Sequence, residues 1–506
     1  MAQRKSLAWD FASGLAFYAI PVLVRAAASF LTIPIYTRYL TPADYGILEL
    51  LDLTSFLFAV LIGTNFGHSV FYYYSAAETP ADRGRTISTA YMGSLLLAGI
   101  AVLMAIFGAP PLSSFVFGSQ QYTSYFRLVF TTLAFTFPAE VGLSCVRAMD
   151  RPRAYSLISS ARLLVAIALN IILLTAFHMH FEAMLWSSLT VTALTAAYMG
   201  WFCLPWLKYL FSASLFWKQL NYSWPLNVSG LAMLIIDLGD RYFLKRSVTL
   251  AELGIYGFAY KLGMIVAMIS LIFNQFWKPK MFHLIRQPHG DKIYVRVYTY
   301  YTLVLTYVCL GLTVILRPLL QVAAGPKFLE AAAYLPWIAL AYVIRCAGDY
   351  FRNAFYLSKT TANDAKITWL GSALCVAGYV GFIPWLRLWG AILATGLAFL
   401  VMFGTSYLLA QRVRPFQFET RRLLWVAVSG VLLIGGYLVF EPAGMVWQLA
   451  LGATLMTGFP LLLLRTGFFD QNELAVARKL PLLVKTWLGV KVQPEALVVT
   501  PGGSDI

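Results

Sequence analysis

The chain has 506 residues, 60% apolar, 16% aromatic and only 12% charged, with a mean hydropathy of +0.71. These figures exclude an ordinary soluble domain. The net charge of +16 would suit nucleic acid, but its distribution along the chain assigns it to loops beside a membrane instead, and no nucleic-acid partner is expected.

Residues 1–10 are a short basic-polar leader, read as cytoplasmic. The apolar run after them is too long and too interrupted for a cleaved signal peptide, so the first span is expected to be retained. A helix crosses the hydrocarbon core with about 20 apolar residues. On that measure the sequence predicts about fourteen membrane helices: 11–37, 45–72, 87–109, 122–145, 155–177, 182–204, 221–244, 253–277, 294–316, 331–351, 366–385, 388–411, 423–440 and 443–464. The fold class is therefore all-α, a polytopic membrane protein.

A repeat divides the first twelve spans. Arg38-Tyr-Leu-Thr-Pro-Ala-Asp-Tyr-Gly-Ile47 returns 208 residues later as Arg246-Ser-Val-Thr-Leu-Ala-Glu-Leu-Gly-Ile255, with Arg, Thr, Ala, Gly and Ile identical. Each copy sits between two long apolar runs and reads as a tight polar turn. Thr41 and Thr249 cap the next helix, the acid three residues on lies in its first turn, and the glycine allows close approach. The repeat predicts an N-terminal six-helix lobe over 11–204, an inter-lobe linker over 205–220 and a C-terminal six-helix lobe over 221–411. Two additional helices occupy 423–464. Residues 471–490 read as a basic amphipathic helix on the membrane surface, kinked at Pro481, within an expected cytoplasmic tail 471–506.

Orientation follows from Lys and Arg. With the leader inside, the cytoplasmic segments hold 26 of them and the opposite loops six: Arg38, Lys245, Arg246, Arg317, Lys327 and Arg387. Both termini are expected to be cytoplasmic, with the basic loops facing anionic lipid.

Six basic residues fall beyond the first turn of predicted spans, Arg25, Arg127, Arg162, Arg241, Lys261 and Arg345, together with the acids Asp52, Glu140, Asp237, Asp240 and Asp349. A mid-bilayer charge costs about 2.5–3.5 kcal/mol on insertion scales, so these groups must face one another or a wet cavity. Arg25 has no acid within a turn on its own helix. It either meets Asp52, Glu140 or Asp240 from another helix or faces a cavity and an anionic substrate. Asp237 and Arg241 are four apart and read as an intrahelical pair, leaving Asp240 as the candidate proton or sodium site. Lys261 either snorkels or lines a cavity. Arg127 and Arg162, nearer helix ends, read as snorkelling or packing residues. Arg345 and Asp349, again four apart, read as a local pair. Pro21, Pro34, Pro138 and Pro384 interrupt or bound spans, as in transporters with broken helices.

No catalytic constellation is present. The five cysteines lie dispersed in apolar stretches and read as small buried hydrophobes. His178-Met-His180 has no third ligand, and there is no phosphate loop or dinucleotide fingerprint. Asn221-Tyr-Ser223 is a glycosylation sequon on the wrong side. No metal, cofactor or enzyme activity is expected.

The first span with its basic residue, the turn Arg38–Gly46, the junction Cys145-Val-Arg-Ala-Met-Asp-Arg-Pro-Arg-Ala-Tyr155 and Gly254-Ile-Tyr-Gly-Phe-Ala-Tyr-Lys-Leu262 resemble the bacterial polysaccharide-transporter family. These are the O-antigen and exopolysaccharide repeat-unit flippases of the multidrug/oligosaccharidyl-lipid/polysaccharide superfamily. The resemblance runs to about residue 411. It implies two lobes related by a pseudo-twofold along the membrane normal, a central cationic cavity and alternating access in the bacterial inner membrane. It implies transfer of an undecaprenyl-pyrophosphate-linked sugar from the inner to the outer leaflet; coupling to H+ or Na+ through Asp240 is an expectation from the residues, and a polysaccharide polymerase and chain-length regulator are expected partners. By position Arg25 matches the family's first-span basic residue; Asp240, Arg241 and Lys261 match polar positions only loosely. With Arg345, Arg25, Arg241 and Lys261 are the candidate contacts to the diphosphate. A cation-coupled small-molecule antiporter of the same superfamily is the alternative, followed by a membrane-embedded polymerase or glycosyltransferase and by a non-transporting scaffold.

Overall fold

The computed structural model describes residues 32, 34–323, 326–358, 360–440, 444–470 and 473. Arg25, Pro21 and most of the first expected span lie outside them, as does most of the amphipathic segment 471–490. Among the described residues every regular element is a helix, and eleven helices are long and apolar enough to cross a membrane. Large side chains such as Leu96, Phe107, Leu157 and Trp385 are exposed on them, which is the surface of a protein solvated by lipid rather than water.

The elements follow the apolar runs and break where glycine, proline or polar side chains fall. The second expected span is α1 (Pro42–Ile62) and α2 (Phe66–Ala76), separated by a break at 63–65. Next come α3 (Pro80–Leu103), a π turn at Met104–Gly108 and α4 (Ala109–Phe117). They are followed by α5 (Thr123–Ala148), α6 (Pro152–Thr175) and α7 (Glu182–Cys203). The seventh expected span is α8 (Ala213–Leu238) and the short α9 (Asp240–Leu244). α8 carries Lys218, Asn221 and Asn227 and is not among the eleven apolar helices. After it come α10 (Leu250–Gly263), α11 (Ile265–Leu284), α12 (Gly290–Ala323), α13 (Ala331–Phe351) and α14 (Asn353–Leu357).

The long element α15 (Ala362–Val413) is a helical hairpin. Arg387 takes φ 51° and ψ −123° at its turn. Gly371 faces Met402 and Gly378 faces Ala394, and Tyr379 and Thr395 share a 3.2 Å hydrogen bond between hydroxyls. It therefore holds both spans expected over 366–385 and 388–411. The last two helices are α16 (Thr420–Val439) and α17 (Met445–Arg465). All five cysteines are buried as free thiols.

The helices gather into two compact units. The first contains the residues up to Met268 together with Leu319–Pro415; the second contains Ile269–Pro318 and the residues from Phe416 onward. Water gives no drive for helix association in lipid, so contacts rely on small residues and interhelical hydrogen bonds. In the first unit Gly142 packs on Met199 and Gly348 on Phe403. In the second, Gly430 meets Thr306 and Gly452 meets Val314, and the Tyr437 hydroxyl donates to the Val314 carbonyl at 3.3 Å. At one end of that unit Arg296 and Arg422 share Glu419, Asp470 and Glu473.

Candidate functional site

The two repeated turns fold alike. Thr41 Oγ1 accepts from the Asp44 amide at 3.2 Å, and Asp44 Oδ2 accepts from the Thr41 amide at 2.8 Å. Thr249 and Glu252 do the same at 3.2 and 2.8 Å. Both are complete capping boxes, as the spacing predicts. Glu252 also receives Arg387 at 3.1 Å, and Arg387 Nε donates to the Ser247 carbonyl at 3.0 Å, so the hairpin turn is tied to the second motif.

The helices that these boxes start, α1 and α10, lie against each other. A Cβ at Gly46 would overlap the Leu250 carbonyl, and one at Gly254 would overlap the Pro42 carbonyl. These contacts exchange under the 208-residue offset, because residue 42 corresponds to 250 and 46 to 254. Such reciprocity is the mark of a twofold contact. The two helices run in the same direction, so the local axis lies along them. One step deeper, Glu49 meets its own counterpart, Gly257, whose missing side chain leaves room for the carboxylate: a Cβ there would stand 2.6 Å from Glu49 Cδ.

Glu49 anchors a charge network. It is 4% exposed and binds Lys261 Nζ at 2.8 Å and Arg241 Nε at 3.4 Å. Arg241, 1% exposed, reaches Asp240 at 2.6 Å and donates to the Asp237 carbonyl at 2.9 Å. Its guanidinium lies 4.2 Å from the Tyr260 ring centroid. The Tyr256 hydroxyl donates to Asp240 Oδ2 at 2.5 Å. The Asp237 carboxylate instead takes Arg345. Arg345 stands 3.9 Å from Asp349, which binds Arg352 at 3.4 Å, and Arg352 reaches Asp364 at 3.2 Å.

Several expectations change here. Asp240, expected to be left over, is the carboxylate that holds Arg241, while Asp237 pairs with Arg345 on another helix. Asp237 and Asp240 lie three residues apart on either side of Gly239, where α8 passes into α9 with the backbone still right-handed helical, and their carboxylates take different partners. Arg241 and Arg345, expected to face a cavity, are enclosed by carboxylates that neutralise them. Lys261 is half-exposed, 50% by side-chain area, with its ammonium on Glu49. The 3.9 Å contact of Arg345 with Asp349 is the weaker of its two pairings. Arg162, expected to snorkel or pack, binds Glu140 at 2.6 Å. Arg127 is exposed near the start of α5.

A cavity of about 570 Å³ opens between α1, α2 and α5, with Leu238 of α8 also on its wall. Leu133, Thr136, Glu140, Ser144 and Arg147 form one stripe of α5 along it, opposite Asp52, Asn65 and His68. Asn227 Oδ1 accepts from the Asn65 amide at 3.2 Å and from its side chain at 3.0 Å, which fixes the break between α1 and α2. Asp52 is exposed on the cavity wall and, among the described residues, accepts no hydrogen bond. Polar walls of this kind inside apolar helices can receive a hydrated headgroup, and carboxylates there can exchange protons or cations with water.

Residues 11–285, more than half of the sequence, match the family described as "Polysaccharide biosynthesis protein". The chain belongs to that family. No curated protein matches the sequence of this polysaccharide biosynthesis family member, but solved structures share its fold. The lipid II flippase MurJ, in an inward closed conformation, superposes with a TM-score of 0.69 at 12% identity, covering 89% of this chain and 99% of that one. An inward-facing multidrug resistance transporter of the MATE family, in the MOP superfamily, gives 0.63 at 13% identity, covering 78% and 98%. An outward-facing MATE transporter gives 0.53 at 15%, covering 79% and 95%.

Two residues of this family member escape the sequence reading. Glu49 lies near the start of its expected span and does not stand out among the intruding acids, although it is three residues before Asp52, on the same side of the helix. Arg147 falls by sequence among the loop cations, although it sits inside the Cys145–Tyr155 stretch that carries the family resemblance.

Proposed function

We propose that this chain is a flippase that moves an undecaprenyl-pyrophosphate-linked oligosaccharide repeat unit from the cytoplasmic to the outer leaflet by alternating access, for surface polysaccharide such as O-antigen or exopolysaccharide. The observation that carries the reading is the polar, charged cavity of about 570 Å³ set among membrane helices, in a chain of the polysaccharide biosynthesis family. A lipid-linked sugar needs such a chamber, because its hydroxyls and diphosphate lose hydration in transit while its tail stays in lipid.

In this reading the seam of α1 and α10, locked by Glu49 with Arg241 and Lys261, is the part that yields when access alternates. Arg25 is the first-span cation for the diphosphate, and Lys261 is the second, since half of its side chain is open. Arg241 and Arg345 hold Asp240 and Asp237 in place. A coupling carboxylate must reach water, so the H+ or Na+ role assigned from sequence to Asp240 passes to Asp52. The two C-terminal helices, α16 and α17, lie outside this cycle, and a polymerase and a chain-length regulator are the partners that would consume the product.

The test is leaflet-resolved transfer of an undecaprenyl-diphosphate sugar in vesicles containing only this protein. Protein-dependent appearance of the sugar in the opposite leaflet is expected. Absence of transfer, with proton-driven export of a drug cation instead, would replace the reading by the antiporter.

A further inference from the structure

We propose that Arg147 is a further phosphate-binding cation, the one on the wall of this cavity, holding a phosphate or diphosphate ester whose remainder extends along the polar stripe of α5 toward Asp52. The ligand's identity as a lipid ester rests on the flippase reading; the anion site rests on geometry alone.

Arg147 lies in the last turn of α5 and on the cavity wall. Its guanidinium lies over two rings, with the Phe71 and Tyr155 centroids each 5.0 Å away. The link to α6 makes this possible: Asp150 takes φ 55°, which turns the chain within three residues and brings Tyr155 back over Arg147. Stacking of this kind fixes the plane of the guanidinium and leaves its edge free for hydrogen bonds.

That edge is nearly unused. Among the described residues the side chain makes one hydrogen bond, from Nη2 to Ser144 Oγ at 3.1 Å. Its Nε is buried without an acceptor, although a guanidinium carries five donors and a buried donor left unpaired costs stability. No carboxylate of the described residues pairs with it. Arg162, Arg241, Lys261, Arg345 and Arg352 of the same unit each have one. The cavity therefore offers one rigid, uncompensated guanidinium, and a tetrahedral oxyanion matches its fork.

The carboxylates of the wall do not oppose this. Glu140 is neutralised by Arg162. Phe58 packs on Phe130 and Gly67 on Ser144, so the α1–α2 segment and α5 run in parallel and Asp52 belongs to the Leu133 end. The stripe from Leu133 to Arg147 is about 21 Å long at the helical rise. Asp52 at one end suits hydroxyl donors of a sugar, and Arg147 at the other suits the anion.

The test uses the purified full chain in nanodiscs with undecaprenyl diphosphate, inorganic pyrophosphate and neutral undecaprenol. Undecaprenyl diphosphate should bind the wild type, at least tenfold more weakly Arg147→Gln, and with intermediate strength Arg147→Lys, while undecaprenol binds all three alike. Competition by inorganic pyrophosphate would show that the headgroup alone is held; its failure to compete, with the variant effect intact, would show that the lipid ester is required. Modification of Arg147 by phenylglyoxal in the wild type, read by mass spectrometry, should be blocked by undecaprenyl diphosphate, which keeps the test decisive even where Arg147→Gln does not fold. Undiminished binding by a folded Arg147→Gln, or modification without protection, overturns the assignment. Arg147-dependent binding without leaflet transfer would keep the assignment and remove the flippase. Transfer with an indifferent Arg147 would do the reverse.

Discussion

Gly46 and Gly254, 208 residues apart in sequence, each stand against the opening turn of the other's helix, Gly46 on the Leu250 carbonyl and Gly254 on the Pro42 carbonyl. A methyl at either position would strike backbone, which cannot swing aside as a side chain does. Gly46→Ala and Gly254→Ala should therefore destabilise the protein by similar amounts, about 1–3 kcal/mol for an overpacked contact. Gly396→Ala, where nothing lies within 4 Å, should have no effect. Thermal unfolding of the purified variants checks this, and unequal effects at the two seam positions would deny the reciprocity.

Glu49 is shared by two cations, and Glu49→Gln leaves Arg241 with Asp240 alone. Removing one partner of a buried ion pair costs about 3–5 kcal/mol, so this variant should lose most of its stability. Lys261→Met should cost less, because the half-exposed ammonium can be replaced without stranding a fully buried charge. The denaturation midpoints of the two variants give the comparison, and a larger loss for Lys261→Met would contradict it.

Asp52 and Asp240 separate coupling from architecture. Asp52→Asn should alter the dependence of transport on the ion gradient while leaving the melting temperature unchanged. Asp240→Asn should lower the melting temperature, since Arg241 and Tyr256 both depend on the carboxylate. Transport measured against pH and sodium gradients, beside melting curves, distinguishes them. Uncoupling by Asp240→Asn in a fully stable protein would return the role to Asp240.

Arg25→Ala should abolish surface polysaccharide without loss of protein from the membrane, and Arg25→Lys should keep part of it. Polymer display in cells, normalised to membrane protein by immunoblot, is the measurement. Full display by Arg25→Ala would reject a cavity role.

Two aspartates three residues apart, Asp237 and Asp240, show how far the sequence could be read. A spacing of four predicts an Asp237–Arg241 ion pair, but Arg241 donates only to the Asp237 carbonyl and takes Asp240 and Glu49 as its carboxylates. It cannot reveal that Arg345 approaches Asp237 from 108 residues away. Arg147 teaches the same lesson. Beside a predicted helix end it counts as an ordinary loop cation, and only the return of Tyr155 over its face gives it a fixed position on the cavity.

The sequence by itself determined the helical membrane class, the sites of most spans and the two capping turns, because hydropathy over 20 residues and hydrogen bonds across three are local quantities. The 208-residue repeat also marked the two capping turns, and the helices they start, as equivalent. Only the tertiary structure decided which charges neutralise each other, where Glu49 is received by Gly257, and which cation keeps an open edge toward the cavity. Those outcomes depend on distances between helices far apart in the chain, and buried electrostatics is settled by such distances.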